Sequence, residues 1–231
     1  MKKRIGIQGF LMFAALTATV LFSRFLLPDR QGEFLLDEIL NAAGIALVTS
    51  GFLLRVAARG YKADLSASGA SLITGGAYAL MRNPMYLGTL LVGIGVGLSV
   101  FLWWVPLAFC FIYLLIYMPQ IRKEENALLG RFGQDYRRYC LATPRFFPDP
   151  LALFRKGARS LFFFRWRWVK KELPSVIGVA ALIVGARVLN NLRLSGRTEY
   201  KKEVLNFLLF PFLVFLITLL FCEKENIPEK I

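Results

Sequence analysis

The run Asn83–Ile121 holds 39 residues without one charged side chain. No other feature limits the fold as strongly. One straight helix of that length reaches about 58 Å, roughly twice the hydrocarbon thickness of a bilayer. The run must therefore turn back on itself, and its spacing predicts a tight helical hairpin over Pro84–Met118. The turn is expected near Ser99–Pro106, where Trp103 and Trp104 suit a membrane–water interface. Gly88, Gly93, Gly95 and Gly97 give the first arm a face poor in side chains. Such a face either packs on a neighbouring helix, here through Gly93-xxx-Gly97, or admits a cofactor or lipid tail. Packing is the commoner use.

The rest of the chain agrees with a membrane setting. It is 56% hydrophobic, and its charges are bunched between apolar runs. The formal charge of +14 fits basic loops facing anionic lipid. The basic residues flank apolar spans and no nucleic-acid motif is present, so nucleic acid is not an expected partner. There is no histidine, and the three cysteines, Cys110, Cys140 and Cys222, lack metal-ligand spacing. A metal site is therefore not expected.

In chain order, Ile5–Leu27 follows a basic start and is long enough to span. It is expected as an anchor rather than a cleaved signal, because more spans follow. The acidic stretch Pro28–Glu38 suits an external loop, and Ile39–Ala58 is the second span, with Arg55 and Arg59 at its cytoplasmic end. A polar loop, Gly60–Tyr78, leads to Asn83–Pro84, which re-aims the chain into the membrane. After the hairpin comes the charge-dense stretch Arg122–Pro148. It opens with Glu124 and Glu125, and Leu128, Leu129 and Phe132 follow at helical spacing. Gly133 is expected to stop that helix, and a second short piece carries Tyr136 and Tyr139. This stretch reads as a polar cap over the mouth of a helix bundle, or as a solvated juxtamembrane helix whose glutamates pair with Arg122 and Lys123.

Leu151–Lys171 interleaves Phe and Trp with Arg and Lys, the composition of a helix lying in an anionic interface. Arg122–Lys171 carries 13 basic and 4 acidic residues, which predicts a cytoplasmic location. Ser175–Leu189 is a short apolar run that either spans or is re-entrant, and Val204–Cys222 is long enough to cross.

Two motifs carry a family resemblance. G-x-Y-x-x-x-R-N-P-M-Y-L-G, Gly76–Gly88, resembles the R-H-P-x-Y-x-G signature of the isoprenylcysteine carboxyl methyltransferases and related membrane phospholipid methyltransferases. The stretch R-K-E-E-x-x-L-x-x-x-F-G-x-x-Y-x-x-Y-x-x-x-x-x-R-x-x-P, Arg122–Pro148, is similar to the second signature of that family. The resemblance covers roughly Ile39–Pro148, and Leu151–Ile231 lies beyond it. The resemblance implies an S-adenosylmethionine-dependent methyltransferase with a cytosol-facing cofactor pocket and a lipophilic acceptor entering from the bilayer. It implies that Tyr78, Arg82, Asn83, Pro84 and Tyr86 line the cofactor side. Glu124 or Glu125, with Tyr136 and Tyr139, would close the pocket, and Arg145 would sit near the acceptor. Asn83 stands where many members have histidine, and an amide cannot titrate.

Methyl transfer from a sulfonium needs alignment and exclusion of water, not a metal. Carboxylates help where positive charge is dispersed. Adjacent glutamates on a helix point about 100° apart, so one is expected to face the pocket, and Glu125 is the preferred choice. Arg145 is the candidate grip for an acceptor carboxylate, through its planar fork. A carboxylate acceptor needs no base; an amine or thiol would turn to Glu124, Glu125 or a tyrosine.

The resulting expectation is an all-α polytopic membrane bundle of about five or six segments with a cytoplasmic helical cap. Its parts would be an N-terminal helix and loop (1–38), a methyltransferase-like core (39–150), and a tail of unknown role (151–231). The expected partners are a lipophilic small molecule or lipid and anionic membrane lipid, with the N-terminus and cap cytoplasmic. A nicotinamide-dependent sterol reductase-like enzyme and a non-catalytic membrane scaffold are the alternatives.

Overall fold

The computed structural model describes residues 21–28, 34–65, 71–148 and 165–195. A single helical turn, Ser23–Leu26, precedes four long helices: α1 (Phe34–Leu65), α2 (Pro84–Val100), α3 (Trp104–Ala142) and α4 (Trp166–Ser195). A 3-10 turn at Gly76–Ala79 lies between α1 and α2. No strand occurs among the described residues, which agrees with the all-helical expectation. Leu35–Leu65, Trp104–Ala142 and Trp166–Asn191 are long and apolar enough to cross a bilayer. The 17 residues of α2 rise about 26 Å, slightly less than a full hydrocarbon span. Most of the expected Ile5–Leu27 anchor, residues 151–164 of the basic aromatic stretch, and Val204–Cys222 lie outside the described residues.

The first helix begins earlier than expected. Asp37 stands in the first turn of α1 and Glu38 follows it in the helix, so the acidic stretch does not end in a loop. The positive end of the helix dipole favours carboxylates there, and Lys62 in the last turn suits the negative end.

α1 and α2 run antiparallel with their backbones in near contact. Gly44 meets Gly95, and two turns further along α1 Gly51 meets Gly88. A methyl added at Gly95 would lie 2.5 Å from Gly44 O, and one at Gly88 would lie 2.7 Å from Gly51 O. Gly93 and Gly97 instead face Phe109 and Pro106 of α3. The glycines of α2 therefore serve two helix interfaces and leave no open face for a lipid tail. This is the small-residue packing that membrane helices use in place of a hydrophobic drive.

The hairpin turns at Phe101–Trp103, within the expected interval, and Trp103 and Trp104 are exposed there. Its second arm does not end at Met118. α3 continues through Pro119 and the charged stretch to Ala142, so the helical hairpin and the polar segment share one element. The expected stop at Gly133 is a kink: its φ of 51° and ψ of −118° are non-helical, and the helix resumes beyond it. Glycine alone takes that conformation at low cost. Leu107, Phe111, Leu115 and Ile116 are exposed on α3, which gives it an apolar outer face.

The last described helix joins the end of the basic aromatic stretch to the short apolar run expected as a separate segment. Residues 166–195 form one helix through Pro174. Its first turns are drawn into the bundle: Trp168 stacks on Gly60 of α1, where any side chain would collide with the indole ring. Trp168 Nε1 donates to Asp64 at 3.1 Å. Val176, Ala180, Ile183 and Ala186 then pack with Val48 and Phe52 of α1 in the lower core.

Candidate functional site

The site lies where the hairpin returns to the face from which it left. Gly76, with φ 57°, lets the connector turn against the ring of Tyr61. The 3-10 turn follows, and Arg82 N donates to Pro144 O at 2.8 Å. That bond joins the segment before α2 to the segment after α3. Pro84 begins α2, where its missing N–H costs nothing. Asn83 is the N-cap residue, yet its side chain does not cap the helix. Its Nδ2 instead donates to Glu125 Oε1 at 3.1 Å and to Arg145 O at 3.2 Å. The two motifs, 42 residues apart at these positions, thus meet directly.

Glu125 is the centre of this junction and is buried. The Arg145 fork grips it, with Nη2 2.7 Å and Nε 3.1 Å from Oε2. Arg82 Nη1 stands 3.6 Å from Oε1 and donates to Cys140 Sγ at 2.8 Å. The hydrogen bonds to Glu125 push the Arg145 guanidinium up from its ordinary value, so it stays charged. Glu124 has other company: Tyr86 Oη and Gln120 Nε2 each donate to its Oε1 at 2.9 Å. No cation approaches Glu124 within ion-pair distance among the described residues. Tyr139 Oη donates to Tyr78 O at 2.7 Å, holding the far end of α3 on the connector. Burial, reinforced by the Glu124 carboxylate, raises the Tyr78 phenol well above the usual tyrosine range.

These groups surround a cavity of about 280 Å³. Tyr78, Arg82, Asn83, Pro84, Tyr86, Glu124, Glu125, Tyr136 and Tyr139 all line it, so nine residues singled out in the sequence come together. Arg145 does not line it; its fork is occupied by Glu125 rather than held open. Both glutamates reach the cavity, against the expectation that one would. Long side chains on adjacent positions can flank the same opening from either side. Sequence reasoning missed Lys62, Ser71, Leu72, Ile73, Met85 and Arg131, while Leu128 and Phe132 belong to the apolar stripe already noted. Lys62 and residues 71–73 carry no motif; they reach the site because α1 ends beside it.

The arrangement is amphoteric. Glu125 is compensated by two arginines, whereas Glu124 lines the partly apolar cavity with no ion-pair partner among the described residues. Arg82 Nε is buried with no partner among the described residues. A cavity of this kind suits a ligand with a positive centre, a hydrogen-bond acceptor and an apolar surface. Among the described residues no cluster could hold a metal ion.

Comparison with known proteins gives the same direction. The family model of phospholipid methyltransferases matches residues 39–135. That bears out the family resemblance of the two motifs over this stretch. The cobalt-zinc-cadmium resistance protein CzcN of Cupriavidus metallidurans is 34% identical over 85 residues, which are 37% of this chain and 38% of that protein. The chain thus spans well under half the length of the curated relative it matches. No solved structure matches the chain.

Proposed function

We propose that residues 39–148 form an S-adenosylmethionine-dependent methyltransferase centre acting on a lipophilic acceptor, an isoprenylcysteine-like carboxylate or a lipid, at the cytoplasmic face of a membrane. The carrying observation is the contact of Asn83 with Glu125 on the wall of one cavity, which unites the two motifs. The match to phospholipid methyltransferases supports methyl transfer as the reaction class. The residues present fit the cofactor. Glu124 offers an unpaired negative charge, Arg82 Nε an unspent donor, and Leu72, Ile73 and Phe132 apolar surface. When bound, S-adenosylmethionine supplies an activated methyl group together with its own leaving group.

The chain's own work is then positioning and charge. Glu124 and Glu125 hold negative potential on one wall, where positive charge is dispersed during transfer. The Arg145–Glu125–Asn83 junction ties the end of α3 to the start of α2 and keeps that wall in place. Leu128 and Phe132 restrict water. A carboxylate acceptor reacts with no proton to move. With an amine acceptor the proton would go to Glu124, because the chain has no histidine and Tyr78 holds its own proton tightly.

Titration calorimetry on the purified chain, with S-adenosylhomocysteine in one arm and NADPH in the other, tests this reading. Binding of the first alone is expected. Binding of NADPH alone would transfer the site to a nicotinamide enzyme, and binding of neither would leave a scaffold. Radiolabelled methyl transfer into a membrane lipid extract then identifies the acceptor.

A further inference from the structure

Beyond the family match lies a buried carboxylate that no motif announces. Glu172, on α4, is 1% exposed. Arg55 Nη2 stands 3.0 Å from its Oε2 and Arg59 Nη1 2.6 Å from its Oε1, both from α1. Burial of the Arg55–Glu172 pair is costly, and hydrophobic residues of equal volume often hold helices together as well or better. Docking of α4 alone therefore gives no reason for an ion triad here.

The second arm of Arg55 suggests one. Its Nη1 donates to Thr89 Oγ1 on α2 at 3.4 Å, and its stem lies on Gly88, the position where α1 and α2 touch. Thr89 Oγ1 donates in turn to Met85 O at 3.0 Å. Tyr113, on α3, donates to Tyr86 O at 2.8 Å. Tyr86 carries the hydroxyl that holds Glu124. The polar contacts thus run from α4 through α1 to the first turn of α2, where Met85 and Tyr86 line the cavity.

We infer that Glu172 is a positioning residue of the cavity, setting the first turns of α2, and through Tyr86 the Glu124 carboxylate, by way of Arg55 and Thr89. This rests on the methyltransferase reading for its kinetic part only. Glu172 touches no ligand. Its charge holds Arg55 in the orientation that reaches Thr89, and among the described residues Arg55 has no second ion-pair partner.

The test uses the full chain with Glu172→Gln, which keeps the shape and an acceptor but not the charge. Thr89→Val serves as a second variant that breaks the path without unpairing a buried charge. Turnover is expected to fall about tenfold or more in each, since small misplacements near reacting groups are costly. S-adenosylhomocysteine affinity is expected to weaken severalfold, because the Glu124 carboxylate is displaced although the Glu125–Arg82–Asn83 junction is untouched. Amide hydrogen exchange is expected to speed up over residues 84–90, which Glu172 reaches only through Arg55. The double variant Thr89→Val with Glu172→Gln is expected to lose turnover no further than either change alone, because both break the same path, whereas multiplied losses would mean that the two residues act separately. A lower melting temperature with unchanged turnover per folded molecule and unchanged exchange at 84–90 would overturn the inference and leave Glu172 as an anchor of α4. If the parent neither binds S-adenosylhomocysteine nor transfers methyl, the proposed function falls. Exchange at 84–90 then still decides the role of Glu172.

Discussion

Adjacent carboxylates at Glu124 and Glu125 meet different surroundings because one points at the chain ends that close the site and the other along its opening. Glu125 meets Arg145, Arg82 and Asn83, and Glu124 meets Tyr86 and Gln120. Their replacements should therefore separate. Glu124→Gln is expected to weaken S-adenosylhomocysteine binding by about 1–3 kcal/mol, the range for a hydrogen bond to a charged group, with little change in melting temperature. Glu125→Gln is expected to lower the melting temperature clearly, because it leaves the arginines facing an amide. Thermal melts and calorimetry on the same preparations check both. Arg145→Ala is expected to destabilise by about 1–3 kcal/mol, since Arg82 and Asn83 remain to hold the carboxylate while one charge-assisted contact is lost. Arg145→Lys should recover little, because one ammonium cannot replace a two-pronged grip. Full stability in Arg145→Ala would mean that the fork seen on Glu125 contributes nothing.

At the scale of elements, the glycines divide by what surrounds them. Gly88 touches the backbone of α1, so Gly88→Val must push α1 and α2 apart and is expected to cost about 1–3 kcal/mol or more. Gly130 and Gly133 both have open space around them, but only Gly133 has positive φ. Gly130→Ala is expected to stabilise α3 by about 0.5–1 kcal/mol, and Gly133→Ala to destabilise the kink by about 1–3 kcal/mol. Chemical denaturation in a fixed detergent reads the difference; equal effects of the two alanines would remove the kink as a conformational requirement. The kink matters to the site because Tyr136 and Tyr139 follow it and reach back to the cavity.

At the scale of the whole molecule, α3 carries Trp104 at one end and the charged site at the other, so its ends lie on opposite sides if it crosses. Single cysteines at Trp103 and Gln134, in a background without the native three, are expected to label from opposite faces, with Gln134 on the cytoplasmic side by the charge rule. Labelling of both from one side would exclude α3 as a span. The bundle also does not end where the family match ends. α4 lies beyond residue 135, yet it supplies Glu172 to two arginines of α1 and Trp168 to the notch at Gly60.

The charge-free run by itself required a hairpin, since its length exceeds the bilayer and no charged break offers a second solution. Once the hairpin returns, Asn83 and Glu125 must share one face, and for that reason most of the cavity lining was legible in the chain. The two motifs named those residues without saying how they pair. Only the tertiary structure decided that Glu125 is taken by arginines while Glu124 is not, because both have the same chemistry and differ only in direction from the helix axis. Only it decided that Arg145 grips a glutamate within the chain, since a guanidinium fits any carboxylate it reaches. It also decided that Trp168 and Glu172 at the start of α4 pack inward while Trp166, Arg167, Lys170 and Lys171 stay exposed. Composition reads Trp168 and its lysine and arginine neighbours as an interfacial face, but Gly60 leaves a gap the size of an indole and α1 offers two arginines to one carboxylate. Those are facts about a partner helix more than a hundred residues away, and local sequence carries no trace of them.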